Sequence, residues 1–326
     1  MNPLLKYLIV TIFVCPLISF AQRKQIRTAV PFMLIAPDPR STGIGDAGTS
    51  TKPDVYSMAL NAAKYAFLED QIGVGLSYTP WQRAIVEDRN LLYLTAFFKT
   101  RERETIATSL RYFSLGTVYF SDPSGNEAGQ YNPSELAFDF AYIRKLFTNL
   151  STSTTFRYLH SGLRTVDLVD GNSNRGNSIA ADIGVYYIEQ INNDNLSIGM
   201  QVSNMGTKML YGSELLPLPC RASLGLSYTF GSGSERSIAV SSDISKLLIS
   251  GSGSAGYAVS TGIELFFLKA LTIRGGYHNA SDQKYFTAGL AIAYKKLSFE
   301  TSRLFSAQQF STTQNTTRFG LAYIIR

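Results

Sequence analysis

The feature that most restricts this chain is a period of two that recurs along most of its length. From about residue 72 onward, segments of roughly ten residues alternate apolar side chains with small or polar ones, as a half-apolar strand must. Leu136, Phe138, Phe140 and Tyr142 share one face, against Ala137, Asp139 and Ala141 on the other. The same alternation runs through 178–188, 220–230 and 284–294. Fourteen segments carry it: 72–79, 91–99, 105–114, 135–144, 149–159, 178–188, 195–203, 220–230, 236–245, 256–266, 270–278, 284–294, 296–303 and 317–326. Roughly ten residues tilted near 45° is the span of a membrane strand, and an even strand number suits a closed bacterial barrel.

The links between segments alternate in length. Those at 80–90, 115–134, 160–177, 204–219, 246–255 and 304–316 are long, with 279–283 a short exception. Those at 100–104, 145–148, 189–194, 231–235, 267–269 and 295 are tight. Long loops on one side and short turns on the other are the mark of an outer-membrane barrel, whose closure leaves no unpaired strand edge in lipid. The expected fold is therefore all-β, a 14-stranded antiparallel outer-membrane β-barrel with an N-terminal plug. Tyr78, Tyr142, Tyr158, Tyr187, Tyr228 and Tyr294 lie at strand ends and are expected to form interfacial girdles.

Composition agrees and excludes other classes. Charged residues are 17% of the chain, below the roughly 25% of an ordinary soluble domain. With 45% hydrophobic residues it is not disordered, and two Cys cannot make a disulfide scaffold. After residue 21 no uncharged apolar stretch of about 18 residues appears, which excludes spanning helices. The formal charge of +6 is spread along the chain and gives no argument for nucleic acid.

Residues 1–21 read as an export signal: Lys6, the apolar stretches Leu8–Val14 and Leu17–Phe20 broken by Pro16, and small Ser19 and Ala21 at the cleavage positions. Cleavage there removes Cys15 and leaves Cys220 alone. Residues 22–70 carry Pro31, Pro37, Pro39 and Pro53 and one short helix expected over Pro53–Tyr65. A segment of this size is no domain of its own, and a barrel of fourteen strands has a bore to fill, so it is expected to be a hatch, with the barrel over 71–326.

Chemistry-bearing motifs are sparse. Gly43, Gly45 and Gly48 match GxGxxG, but the parallel strand and the acid about 20 residues on that a dinucleotide site needs are missing. His160 and His278 lack metal-ligand spacing, so no metal or cofactor is expected. His160 beside Ser161 is a weak candidate for lipid hydrolysis, lacking a third orienting group. The inward-facing parity carries Arg111, Asp139, Arg157 and Asp182 on four successive strands, Glu264 and Arg274 on one hairpin, and Glu300 and Arg318 on the last two strands. Alternating signs predict cross-strand ion pairs. They would line either a polar conduit or, more simply, a salt-bridged interior packed around the hatch.

Several motifs resemble one family. Ala29–Asp38 (AVPFMLIAPD), Gly43–Gly48 (GIGDAG), Asn61–Phe67 (NAAKYAF), Ser77–Trp81 (SYTPW), Ser109–Gly116 (SLRYFSLG) and Asn132–Asp139 (NPSELAFD) together are similar to the PorV family of type IX secretion proteins. The resemblance is dense over 29–165; Ala62 stands where the family tends to have Pro, and the loops at 204–219 and 304–316 do not match in detail. It implies a barrel related to FadL-type transporters in the outer membrane of a Bacteroidetes-like bacterium. It implies a non-enzymatic role, capping a large translocon channel and receiving cargo that carries a C-terminal β-domain. The cargo would pass to a surface attachment complex with a sortase-like protease that joins it to lipopolysaccharide. On that reading the loop aromatics Trp81, Tyr119, Phe120, Tyr131 and Tyr211 are the expected exposed anchors, and pairing of a cargo edge strand with a loop strand is a further route. The alternative is a FadL-type transporter of hydrophobic small molecules, which would need an apolar pocket between hatch and wall and a lateral opening in the barrel.

Overall fold

A computed structural model describes residues 27–81, 88–121, 127–163, 176–211, 214–249, 256–268, 270–281, 283–306 and 316–325. The export signal expected over 1–21 lies outside them. The strands, in chain order, are β1 (Ile72–Pro80), β2 (Asn90–Arg101), β3 (Glu104–Ser114), β4 (Val118–Ser121), β5 (Glu127–Tyr131), β6 (Ser134–Phe147), β7 (Leu150–Ser161), β8 (Gly176–Ile191), β9 (Asp194–Gly206), β10 (Met209–Tyr211), β11 (Glu214–Leu216), β12 (Arg221–Phe230), β13 (Arg236–Leu247), β14 (Tyr257–Phe267), β15 (Leu271–Asn279), β16 (Lys284–Tyr294), β17 (Leu297–Ser306) and β18 (Thr317–Ile325). Fourteen close into one antiparallel barrel, sealed where β1 pairs with β18 from Ile72–Ile325 to Tyr78–Phe319. The other four make two hairpins, β4–β5 and β10–β11, inside long loops where no strand was expected.

The wall is inverted relative to a soluble protein. On β7 the buried set is Ser151, Ser153, Thr155, Arg157, Leu159 and Ser161, while Phe156 and Tyr158 face outward. Large apolar side chains such as Leu94, Phe138, Ile183, Phe286 and Leu321 are exposed on the outer surface. A continuous apolar exterior over a polar interior is stable only in lipid, so the barrel is an outer-membrane one. Tyr142, Tyr158 and Tyr294 stand in the exposed belt. Tyr228 does not: it is buried, packed on Phe230, and donates to Asp194 Oδ2 at 2.8 Å.

The bore is filled by the N-terminal segment. Ala29 N–H donates to Pro217 O at 3.0 Å and Arg27 pairs with Glu214 at 3.1 Å, both at the end of the barrel that carries the long loops. From there the chain descends through the lumen to Gln71, whose N–H meets Ile325 O at 3.0 Å at the short-turn end. On the way it makes one α-helix, α1 (Pro39–Gly43), and three 3-10 turns, Pro31–Leu34, Ser57–Ala59 and Ala62–Phe67. Asp38 caps α1, accepting from Ser41 N at 2.8 Å, and Pro39 supplies a first helical residue with no N–H to satisfy.

The helix expected over Pro53–Tyr65 is broken instead. Asn61 is extended (φ −164), and its amide donates to Thr49 O and Val185 O, each at 3.0 Å. Tethering to the wall thus outweighs local helix propensity. The hatch is bonded all round the perimeter. Ser77 Oγ on β1 donates to Pro37 O, Asp243 on β13 accepts from Gly48 and Thr49 N–H, Thr287 on β16 accepts from Gly45 N–H, and Ser151 on β7 donates to Ala63 O. Two wall glycines permit the closest approach. A Cβ on Gly276 would lie 2.2 Å from Gly45 N, and one on Gly199 would lie 2.0 Å from Thr49 O. Gly45 itself has φ +72, which only a residue without a side chain adopts without strain.

Candidate functional site

The long-loop end faces the cell exterior, since outer-membrane barrels keep their short turns on the periplasmic side. Under the loops lies an apolar cluster built from the hatch (Ala29, Val30, Phe32, Met33), the strand tops (Leu91, Phe113, Leu159) and the β10–β11 region (Met209, Leu218). Phe32 stacks on Phe113 at 6.1 Å, and Trp81 meets Phe113 edge-on at 6.2 Å. Trp81 is therefore 5% exposed, a core residue of the lid and not the exposed anchor expected. Tyr131 is half-buried and donates to Gly162 O. Tyr211 is half-buried, packs on the cluster and bonds Glu135. Tyr119 is 64% exposed on β4. Phe120 pairs with Gly129 through its backbone, and its side chain lies outside the described residues.

Three further apolar residues that the sequence did not single out stand exposed on the two loop hairpins. Val118 is exposed beside Tyr119, and Leu210 faces Leu215 across the β10–β11 hairpin, Leu215 being 62% exposed. These side chains sit above the lipid belt on loop hairpins, where exposed apolar groups mark an interaction surface. A signal was present in the sequence: a Gly-Ser pair between two short apolar stretches is the pattern of a hairpin. Among the described residues each hairpin is a sheet of two strands only, so each has edges without a strand partner. Asp88 braces one of them, accepting from Thr117 N at 2.7 Å and Oγ1 at 2.6 Å. These hydrogen bonds hold its carboxyl below the usual carboxylate range. The brace is thus in place above that range and is lost as pH falls through the lowered value. In an Asp88→Ala variant, exchange of the Thr117 amide hydrogen is expected to accelerate about tenfold, the equivalent of one such bond; an unchanged rate would show the brace to be idle.

Below the lid the charges expected to line the lumen are all buried. Arg157 bridges Asp139 at 2.6 Å and Asp182 at 2.9 Å. Arg274 bridges Glu264 at 3.0 Å and Glu300 at 2.6 Å. The sequence did not foretell the hatch's share: Arg40 joins Glu264 and Asp54, each at 2.9 Å, locking α1 to β14. Two cations depart from the expected pairing. Arg111 donates to Ile35 O at 3.2 Å and lies over the Tyr93 ring instead of meeting Asp139. Arg318 does not reach Glu300, which Arg274 occupies. The interior is a salt-bridged packing around the hatch, not a lined conduit. His160 and Ser161 are not brought together: His160 Nδ1 contacts Asn177 Oδ1 at 2.8 Å, and Ser161 Oγ donates to Glu135 at 3.0 Å. The glycines of the GxGxxG match lie in and after α1, with no strand before it among the described residues.

The family model for the type IX secretion system protein PorV matches residues 18–253. The chain belongs to the PorV family. No curated protein matches it in sequence. Solved structures share the fold at low identity. The toluene transporter TbuX of Ralstonia pickettii has a TM-score of 0.56 at 13% identity, covering 89% of this chain and 98% of its own. The toluene transporter TodX of Pseudomonas putida has 0.56 at 12%, covering 87% and 96%. A FadL homologue of Pseudomonas aeruginosa has 0.51 at 11%, covering 94% and 99%. The family assignment makes the chain a type IX secretion component of the outer membrane, and the solved structures share its barrel fold.

Proposed function

We propose that this barrel receives secreted proteins at its outer face and carries them from the type IX translocon to the surface attachment complex. The cargo element recognised is a C-terminal β-domain. The observation that carries the reading is the pairing of a blocked bore with an apolar, open-edged outer face. The bore is bonded shut around its perimeter, so passage through it is not the task. Tyr119 and Val118 on one hairpin and Leu210 and Leu215 on the other supply desolvated contacts. The hairpin edges without a strand partner suit a β-domain that adds a strand. Trp81 and Tyr211 contribute by holding the lid beneath, and Tyr131 and Phe120 by shaping the β4–β5 hairpin. The partners are then the large translocon channel, the cargo, the sortase-like protease of the attachment complex and outer-leaflet lipopolysaccharide. Removal of residues 1–21 on export, a hatch over 22–70, a barrel over 71–326 and a Bacteroidetes-like host belong to the same proposal.

Gentle purification from the native outer membrane, with mass spectrometry of the proteins and lipids that co-purify, tests it. Secreted proteins sharing one C-terminal β-domain should accompany the barrel. A Tyr119→Lys, Leu215→Lys variant should recover at least tenfold less of them while the barrel stays folded. The second reading, transport of apolar small molecules, draws on the shared fold of the toluene transporters. Against it, a groove of about 440 Å³ lined by Ile183, Met200, Leu224 and Ile244 opens on the outer wall and not between hatch and wall. Bound lipid or hydrocarbon without any secreted protein would favour that second reading.

A further inference from the structure

Arg40, Arg157 and Arg274 each meet two lumen acids, and Arg111 and Lys64 donate to backbone carbonyls; Arg318 does neither. It lies on β18 with 1% exposure, and its Nε and Nη1 have no hydrogen-bond partner. Among the described residues no carboxylate comes within ion-pairing distance of it; Asp46 and Asp38 act on it only through space. Asp46 Oδ2 is already taken by the Tyr285 hydroxyl, while its Oδ1 is unpartnered. The deficit extends to both neighbouring strands. Ser302 faces Arg318 across β17–β18, and Thr79 follows Tyr78, which faces Phe319 across the β1–β18 seam. Ser302 Oγ and Thr79 Oγ1 are buried and unpartnered too. Trp81 covers the group, its ring 5.6 Å from the guanidinium carbon.

A buried cation without a counter-charge is costly, and the wall offers none. The unpartnered Nε and Nη1 donors lie on two different edges of the guanidinium, each beside Nη2, so an oxyanion on either edge meets an unpartnered donor, and the flanking hydroxyls can add two more. We propose that Arg318, Ser302 and Thr79 form a binding site for a small oxyanion, a carboxylate or phosphate group, with Trp81 as its movable cover. The site stands just beneath the outer lid, so an anion borne by a ligand at the outer face reaches it by lifting the Trp81 ring.

Trp81 is the single tryptophan of the chain, so its fluorescence reports on this site alone. The whole protein in detergent is titrated with inorganic phosphate and, separately, with acetate at constant ionic strength. A saturable change in Trp81 emission with at least one of them is expected, and which one responds assigns the group. Affinity should fall at least tenfold in Arg318→Gln and several-fold in Thr79→Val and Ser302→Ala, with unfolding temperature unchanged in the last two. Should Arg318→Gln fail to fold, the two hydroxyl variants decide. No saturable change with either anion, or affinities untouched by the hydroxyl variants, would overturn the site.

Discussion

Replacing Arg157 with Met is expected to destabilise the barrel by about 3–5 kcal/mol, the cost of leaving buried carboxylates without their partner. Asp139 and Asp182 sit on strands to either side of β7, and each meets the same guanidinium. Asp182 also accepts from Asn204 N–H at 2.7 Å, at the β8–β9 irregularity, so the loss should spread to the top of β9. Thermal unfolding in detergent measures the effect, read as loss of β-sheet circular dichroism. Adding Asp139→Asn and Asp182→Asn to the same variant should recover most of the loss, because a neutral network no longer buries charge. A single variant within about 1 kcal/mol of the parent would mean that the pair contributes no more than an exposed one.

Seating a side chain at Gly276 should open the pore. Gly276→Val cannot keep both the wall and the Gly45 backbone where they are, since even a Cβ would stand 2.2 Å from Gly45 N. The hatch must leave that wall, taking with it the Gly45–Thr287 and Arg40–Glu264 bonds. In planar bilayers the parent should give a flat baseline and Gly276→Val discrete openings, with Gly199→Val behaving alike. Gly275→Ala is the control: a Cβ there meets nothing nearer than 3.9 Å. Silence from both valine variants, with folded barrels in the membrane, would show that the hatch tolerates the intrusion and that its wall contacts do not hold the bore closed.

The wall was legible in the sequence because one rule governs it. Strict alternation fixes which side of each strand meets lipid, and fourteen segments carry it, so strand number and loop polarity emerge together. The lumen charges were legible in part. Facing pairs such as Glu264 and Arg274 stand in register on one hairpin, and that spacing can be read from a sequence. Arg40 could not be found that way, since its acid lies more than two hundred residues on and across the bore. Arg318 was placed with Glu300 by strand order, yet Glu300 turns to Arg274 on the far side. Trp81 misled for a simpler cause: a loop position says nothing about what the hatch brings beneath it. Tyr119 and Phe120 belong to a hairpin that the alternation rule, tuned to ten-residue strands, passes over.

The path of the N-terminal segment sets the order in which such a molecule can be built. Arg27 is tied at the outer rim and Gln71 at the inner one, so the segment runs the whole height of the lumen and continues directly into β1. The barrel closes where β1 meets β18, the last strand made. A ring already sealed would have to let the entire segment slide in lengthwise past Arg157 and Arg274. Closure around a segment already laid against the sheet avoids that barrier. The hatch then acts as the mandrel on which the sheet curls, and the β1–β18 seam as the latch that shuts last.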